Sequence, residues 1–355
     1  MLMKNHRRII VVLGVRRSGT SAIAKGLESM GVSVVDQAHT SFNSFNKKGY
    51  WEDLEIHQFN KKVIVALSSL NKRCRSTLSL SQAETDFLCE KGFLQQGVDL
   101  MLAKLLRLQQ PLGIKDPRFS ILLPFWKRIF KACDVPISFV IALRNPMSAV
   151  ASMKVFDRAS MRMKAFDHFC EEHSECDEKY FWMWIASLLG CLDGSEGEER
   201  ILVDYNELLK HPTSQIKRIA DVLKLEIEED RLKNYGANFI DPSLCHFTTA
   251  EFQKNIDSDC QKFALEIYQQ LFAIAKDQAS FAKLKHSHEQ WKTRLSSAKS
   301  LLVLAEKNEK IILFLRAAML VQKETIDKLN QKIAQNLSSP VNLHQNFLKH
   351  ARDNF

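Results

Sequence analysis

The sequence has no apolar run long enough to span a bilayer, so no membrane segment is expected. The stretch Ile311–Val321 is interrupted by Arg316 and falls far short of the ~20 residues a membrane helix needs. Lys4, Arg7 and Arg8 ahead of Ile9–Leu13 look superficially like a secretion signal. That apolar run is shorter than the ~7–15 residues of a signal core, and Arg16 and Arg17 follow at once. A disulfide framework is also missing. The eight cysteines (74, 89, 133, 170, 176, 191, 245 and 260) follow no framework spacing, which fits reduced thiols and a cytoplasmic location. Nor is there a block of one charge. The net charge is +9, but residues 251–355 hold 16 Lys and Arg against 11 Asp and Glu, leaving 34 against 30 elsewhere. So diffuse an excess favours anionic ligands in general and gives no specific sign of nucleic acid, which is not expected as a partner.

What is present supports a real core. Hydrophobic residues make up 45% of the 355, and 22 are phenylalanine, enough to exclude wholesale disorder. Ile9–Leu13 reads as a buried strand that breaks into Gly14-Val15-Arg16-Arg17-Ser18-Gly19-Thr20-Ser21, with a helix from Ala22 to Met30. A second strand is expected over Val32–Val35, then a long polar loop over 36–50. Helical periodicity covers Leu54–Leu70 and Ala83–Leu108. Leu112–Ile114 and Ile137–Leu143 read as strands, the latter followed by Asn145 as N-cap and Pro146 as first residue of a helix through Met153. A helix-rich stretch over 166–192, an acidic turn over 193–199 and a strand over Arg200–Val203 complete the pattern.

Strands alternating with helices predict an α/β fold: a P-loop-like parallel sheet with helices on both faces. The loops 14–21, 115–118, 144–146 and 204–206 all follow strand carboxyl ends, where such folds hold ligands. The expected division is an α/β domain over 1–250 and a helical extension over 251–355. Within the extension, Leu301, Ala305, Asn308, Ile312, Leu315, Met319, Gln322, Ile326, Leu329 and Ile333 form a heptad series. A coiled coil over 297–337, with homo-oligomerisation through it, is one reading. The other is a long helix folded back on the α/β domain, since Ile311, Leu313, Phe314 and Leu320 widen the apolar face.

The glycine-bracketed loop 14–21 has the chemistry of an anion site. A strand–turn–helix unit aims backbone N–H groups and a helix N-terminus at one spot. Thr20 stands where a Walker A loop carries its lysine, while Arg16, Arg17, Ser18, Thr20 and Ser21 supply other donors. Arg144 closing a strand, with Ser152 on the next helix, forms a second clamp. Two separate anion clamps suggest a nucleotide phosphorylated at both ends of its ribose.

These residues resemble sulfotransferases that use 3′-phosphoadenosine 5′-phosphosulfate, in bacterial form. Gly14–Ser21 resembles the family's 5′-phosphosulfate loop, and Arg144 with Ser152 its 3′-phosphate pair. Val203–Leu209 with His211-Pro212, Gly49-Tyr50-Trp51-Glu52-Asp53 and Lys115-Asp116-Pro117-Arg118 are similar to further family segments. The order matches over roughly 8–250. The resemblance implies that Arg17 stabilises charge on the bridging oxygen and that Gly14, Arg16, Ser18, Gly19, Thr20 and Ser21 help cradle the 5′-phosphate. It likewise implies that Tyr205 lies near the adenine. The acceptor would be a hydroxyl on a carbohydrate, lipid or small molecule, and no metal is required.

The general base is open. Some members carry a histidine just after the lysine matching Lys115, but Asp116 and Pro117 fill those places here. Glu52 is the first choice and Asp116 the second, with Asp53, Glu55 and His57 as further candidates. Glu52 could equally be a capping carboxylate for the helix that follows. No match to the family's late glycine- and basic-rich segment is evident; residues 241–246 could serve that role. His168, Cys170, His173 and Cys176 could be drawn as a zinc set, but they spread round more than one face of an acidic helical run. A P-loop kinase, or a nucleotide-binding scaffold without turnover, are the other functional classes the loop allows.

Overall fold

The computed structural model describes residues 8–34, 48–71, 78–108, 110–162, 177–241 and 258–337. Four strands, β1 (Ile9–Gly14), β2 (Leu112–Lys115), β3 (Ile137–Leu143) and β4 (Glu199–Asp204), form a parallel sheet in the order β2-β1-β3-β4. The expected α/β class and parallel sheet are what the structure has. The strands are short, with apolar stretches such as Ile9–Leu13, Phe139–Leu143 and Ile201–Val203 buried on both faces, as parallel strands require when helices cover both sides. Alternation along β1 sends Ile9, Val11 and Leu13 to one core and Ile10 and Val12 to the other.

The larger core lies against α4 (Phe93–Arg107), α5 (Phe119–Cys133), α7 (Asp177–Gly194) and α11 (Asp259–Ala275). It holds Met101, Trp126, Phe130, Trp184, Leu188, Phe263 and Ile267. The smaller core pairs the sheet with α1 (Thr20–Leu27) and α9 (Pro212–Leu223) through Ile23, Leu27, Ile216 and Ile219. At roughly 1.5–3 kcal/mol per fully buried large apolar side chain, these two layers supply most of the drive to fold. The chain divides into two compact units, one ending at Val303 and the other beginning at Leu304. α11, which falls in the extension on the sequence, therefore packs in the core of the first unit. The last helix, α12 (Lys285–Leu337), begins there, with Trp291 buried, and continues into the second unit.

Three expected elements come out differently. Val32–Val35 is not a strand over its described part: Ser33 alone makes a parallel bridge to Leu112. The helix expected over Ala83–Leu108 is two, α3 (Gln82–Glu90) and α4, because Gly92 takes φ 77° and breaks the register. Glycine adopts that left-handed conformation without steric cost, and the apolar periodicity on either side hides the break. The helix opened by Pro146, α6, runs on to Arg162. The predicted Asn145 cap is there, its Oδ1 accepting from the Met147 N–H at 3.0 Å. The loop at 36–47, the His168–Cys176 set and residues 242–246 lie outside the described residues.

Candidate active site

Strand register assembles the site. Gly14 pairs with Ala142, Leu143 with Asp204 and Val12 with Lys115. The carboxyl ends of all four strands therefore open on one edge of the sheet. β1 has β2 on one side and β3 on the other, so the loop after it sits where the chain's path across the sheet diverges, the usual ligand position in open α/β sheets.

The loop between β1 and α1 is held in a tight form. Arg17 has φ 69° and Gly19 φ 89°. A Cβ on Gly19 would lie 2.2 Å from Cδ2 of Tyr205, so only glycine lets that ring close on the loop. The Ser18 hydroxyl donates to the Val15 carbonyl at 2.5 Å, which commits it to the turn's own shape. Thr20 opens α1, whose first N–H groups lie beyond the helix's own hydrogen-bond ladder. Ser21 donates to the Tyr50 carbonyl at 3.1 Å.

The three arginines differ. Arg16 makes two hydrogen bonds to Asp157 on α6, at 2.8 and 2.5 Å, and Tyr180 of α7 donates to the same carboxylate at 3.2 Å. Its guanidinium is thus taken up in pinning the loop to α6. Arg17 Nε donates to Ser152 Oγ at 3.1 Å and lies over the Phe156 ring. Arg144 donates to the Arg17 carbonyl at 2.7 Å and stacks 4.7 Å above the Tyr205 ring. Burial, then the nearby Arg144 charge, lower the Arg17 pKa. An anion beside the Arg17 guanidinium would favour its charged form.

A second cluster lies next to this one. Lys115 ends β2 and reaches the Tyr50 carbonyl at 2.8 Å, Glu52 Oε1 at 2.8 Å and Ser21 Oγ at 3.5 Å. It links the loop to the candidate base. Glu52 Oε2 is 3.1 Å from His57 Nδ1, and the same nitrogen is 3.1 Å from Arg118 Nη1. Arg118 pairs with Asp116 at 2.7 Å, and His57 stands 3.7 Å from Asp116. Burial opposes Glu52 ionisation, but the Lys115 charge and hydrogen bonds from His57 and Lys115 outweigh it and hold the carboxyl at about 2. Asp116 moves the other way: burial raises it, against the Arg118 charge, with Glu52 adding to the rise. The two neighbouring carboxyls are thus driven in opposite directions. By distance alone Glu52, His57 and Asp116 could hold a metal ion, their donor atoms lying within 4.8 Å of one another. Lys115 and Arg118 bring two positive charges into those contacts, a set better suited to ion pairing than to a divalent cation.

Glu52 is therefore more than a helix cap. That task falls to Asp53, whose Oδ1 accepts from the Glu55 and Ile56 N–H groups at 3.1 Å each at the start of α2 (Leu54–Asn71). Asp53 and Glu55 in turn bind Lys104 of α4 at 2.8 and 2.6 Å, and Lys104 is wholly buried. On the far side, Asp204 caps α8 (Tyr205–Lys210) by accepting from the Asn206 and Glu207 N–H groups at 2.9 and 3.1 Å, and so fixes Tyr205. Asp157, Tyr180, Phe156 and Lys104 were not singled out on the sequence. Asp157 follows Ser152 along one helix, but nothing in their spacing names Arg16 as its partner.

A phosphate-type loop without the Walker lysine, closed by half-buried Arg17 and buried Arg144 at the carboxyl edge of a parallel sheet, has the form of a P-loop-like group-transfer enzyme. The sulfotransferase domain model matches residues 7–263, and the chain belongs to that family of enzymes. No protein among curated sequences is significantly similar to it. Among solved structures, it is similar to the sulfotransferase domain of the olefin synthase of Synechococcus PCC 7002, at 18% identity and a TM-score of 0.44. That match covers 77% of this chain and 97% of that one. It is also similar to the sulfotransferase STF9 of Mycobacterium avium, at 15% identity, 79% and 78% coverage and a TM-score of 0.37. The assignment rests on the family model. Among the described residues, no helix is long and apolar enough to cross a membrane.

Proposed function

We propose that the chain transfers a sulfuryl group from 3′-phosphoadenosine 5′-phosphosulfate to a hydroxyl of a carbohydrate, lipid or small molecule. The observation that carries this reading is the joining of two anion-binding elements far apart in sequence. Arg17 of the β1–α1 loop contacts Ser152 of α6, and Arg144 at the end of β3 holds the Arg17 carbonyl. One nucleotide with phosphates at both ends of its ribose can use both clamps. Gly14, Ser18, Gly19, Thr20 and Ser21 shape or line the 5′ side, Arg144 and Ser152 hold the 3′-phosphate, and Tyr205 receives the adenine. Arg16 acts through its bond to Asp157, fixing the loop.

In the transfer, the acceptor oxygen bonds to sulfur while the bond from sulfur to the bridging phosphate oxygen breaks. Arg17 and Lys115 supply positive charge toward that leaving oxygen. Glu52 takes the hydroxyl proton and becomes neutral, its carboxyl held in place by contacts with Lys115 at 2.8 Å and His57 at 3.1 Å. Asp116 holds Arg118 in place beside the pair.

Binding and transfer separate in the test. Adenosine 3′,5′-bisphosphate should raise the melting temperature of the protein more than ATP with magnesium does. The reverse order overturns the donor assignment and favours a kinase. Arg144→Ala should weaken bisphosphate binding by roughly 10- to 100-fold, the loss of a charged hydrogen-bonding partner. Arg17→Ala should lower transfer by about 100-fold or more at saturating donor. Equal activity in the two variants and the parent protein overturns these roles.

A further inference from the structure

α12 beyond Val303 exposes an apolar seam with the repeat of a paired helix. Leu315, Met319, Ile326, Leu329 and Ile333 are each 52–56% exposed and fill five of six successive a and d positions, Gln322 being the sixth. A single helix gains little stability from its own hydrogen bonds in water; packing of its apolar face supplies most of it. A contiguous exposed stripe of this kind marks an interface.

We infer that this helix pairs with the same helix of a second copy of the chain, parallel and in register, as a two-stranded coiled coil. Three features of the seam select that occupant. First, Ile312, Met319, Ile326 and Ile333 fall at the a positions, and Leu315 and Leu329 at d, the arrangement that favours two parallel strands. Second, Asn308 and Gln322 also fall at d. In a parallel pair in register each amide meets its own copy and can exchange hydrogen bonds with it. An antiparallel pair, which sets a against d, would bury both amides against isoleucine or methionine, at the cost of unmet hydrogen bonds. Third, the g positions Ile311, Ala318 and Thr325 are uncharged, so Glu309, Arg316 and Lys323 at e meet no like charge across a parallel pair.

The test uses the full chain. Sedimentation at micromolar concentration should give twice the 40.8 kDa chain mass. Ile326→Glu with Leu329→Glu should give a monomer that still binds adenosine 3′,5′-bisphosphate. Leu329→Cys, mildly oxidised beside the unsubstituted chain, should add a covalent dimer, because d-position thiols meet only in a parallel register. A monomeric parent protein, which would mean that the seam is covered by its own chain or by another partner, overturns the inference. So does a trimer or larger species, a dimer indifferent to the two glutamates, or a Leu329→Cys chain with no added cross-link.

Discussion

Glu52 shows how much one side chain's chemistry depends on its contacts. As a free carboxyl it would titrate in the ordinary range; beside Lys115 and His57 it is held at about 2. The same contacts favour its ionised form, and on the proposed reading it is the group that receives the acceptor's proton. Glu52→Gln should therefore lower kcat by about 100-fold or more while leaving bisphosphate affinity unchanged. Full turnover in that variant would move the base to Asp116, and Asp116→Asn would then carry the loss. The motif Lys115-Asp116-Pro117-Arg118 and the candidate Glu52 were both readable in the sequence. Their contact was not, because it joins the end of β2 to the residues just ahead of α2.

At the scale of elements, α2 carries the cluster and α4 holds α2 in place. Lys104 has no exposure and divides its ammonium between Asp53, which caps α2, and Glu55 in its first turn. Removing one member of a buried ion pair leaves its partner charged and desolvated, at a cost of roughly 3–5 kcal/mol. Lys104→Met should cost about that much in chemical denaturation, with Asp53 the stranded charge; a loss below about 1 kcal/mol would show that the pair relaxes into water. Nothing in the helical periodicity announces this lysine. The same periodicity merges α3 and α4 into one helix, since apolar spacing continues across Gly92 and only its backbone conformation reveals the break.

Across the whole molecule, Asp204 ties the sheet, the Tyr205 side of the candidate site and α11 together. It ends β4, caps α8 and accepts from the Tyr268 hydroxyl of α11 at 3.1 Å. Burial, opposed by hydrogen bonds from Glu207, Tyr268 and Asn206, raises its carboxyl from 3.8 to about 6. The folded protein therefore binds this proton more tightly than the unfolded chain does. The stability so gained is fully present below 3.8 and is lost as pH rises through about 6. The window is worth at most roughly 3 kcal/mol. Asp204→Asn should remove it, so that the parent protein loses stability relative to the variant across that window and the difference levels off above it. A difference that does not change with pH would show that Asp204 does not titrate there.

The sequence by itself determined the class of fold, the position of the glycine-bracketed loop after β1 and the candidate residues for anion binding. These are local signals: an apolar run ending in glycine, hydroxyls and arginines at a strand's end, a proline behind an asparagine cap. It also wrote the heptad seam of α12, whose period is a property of the chain alone. Tertiary structure decided how those charges are used. Arg16 is set apart from Arg17 by its bonds to Asp157 of α6, and the Ser18 hydroxyl donates to the Val15 carbonyl. Likewise the capping task passed from Glu52 to Asp53. Such choices depend on through-space pairing in a low-dielectric interior, where a few ångströms set whether a charge faces a ligand or a neighbouring side chain.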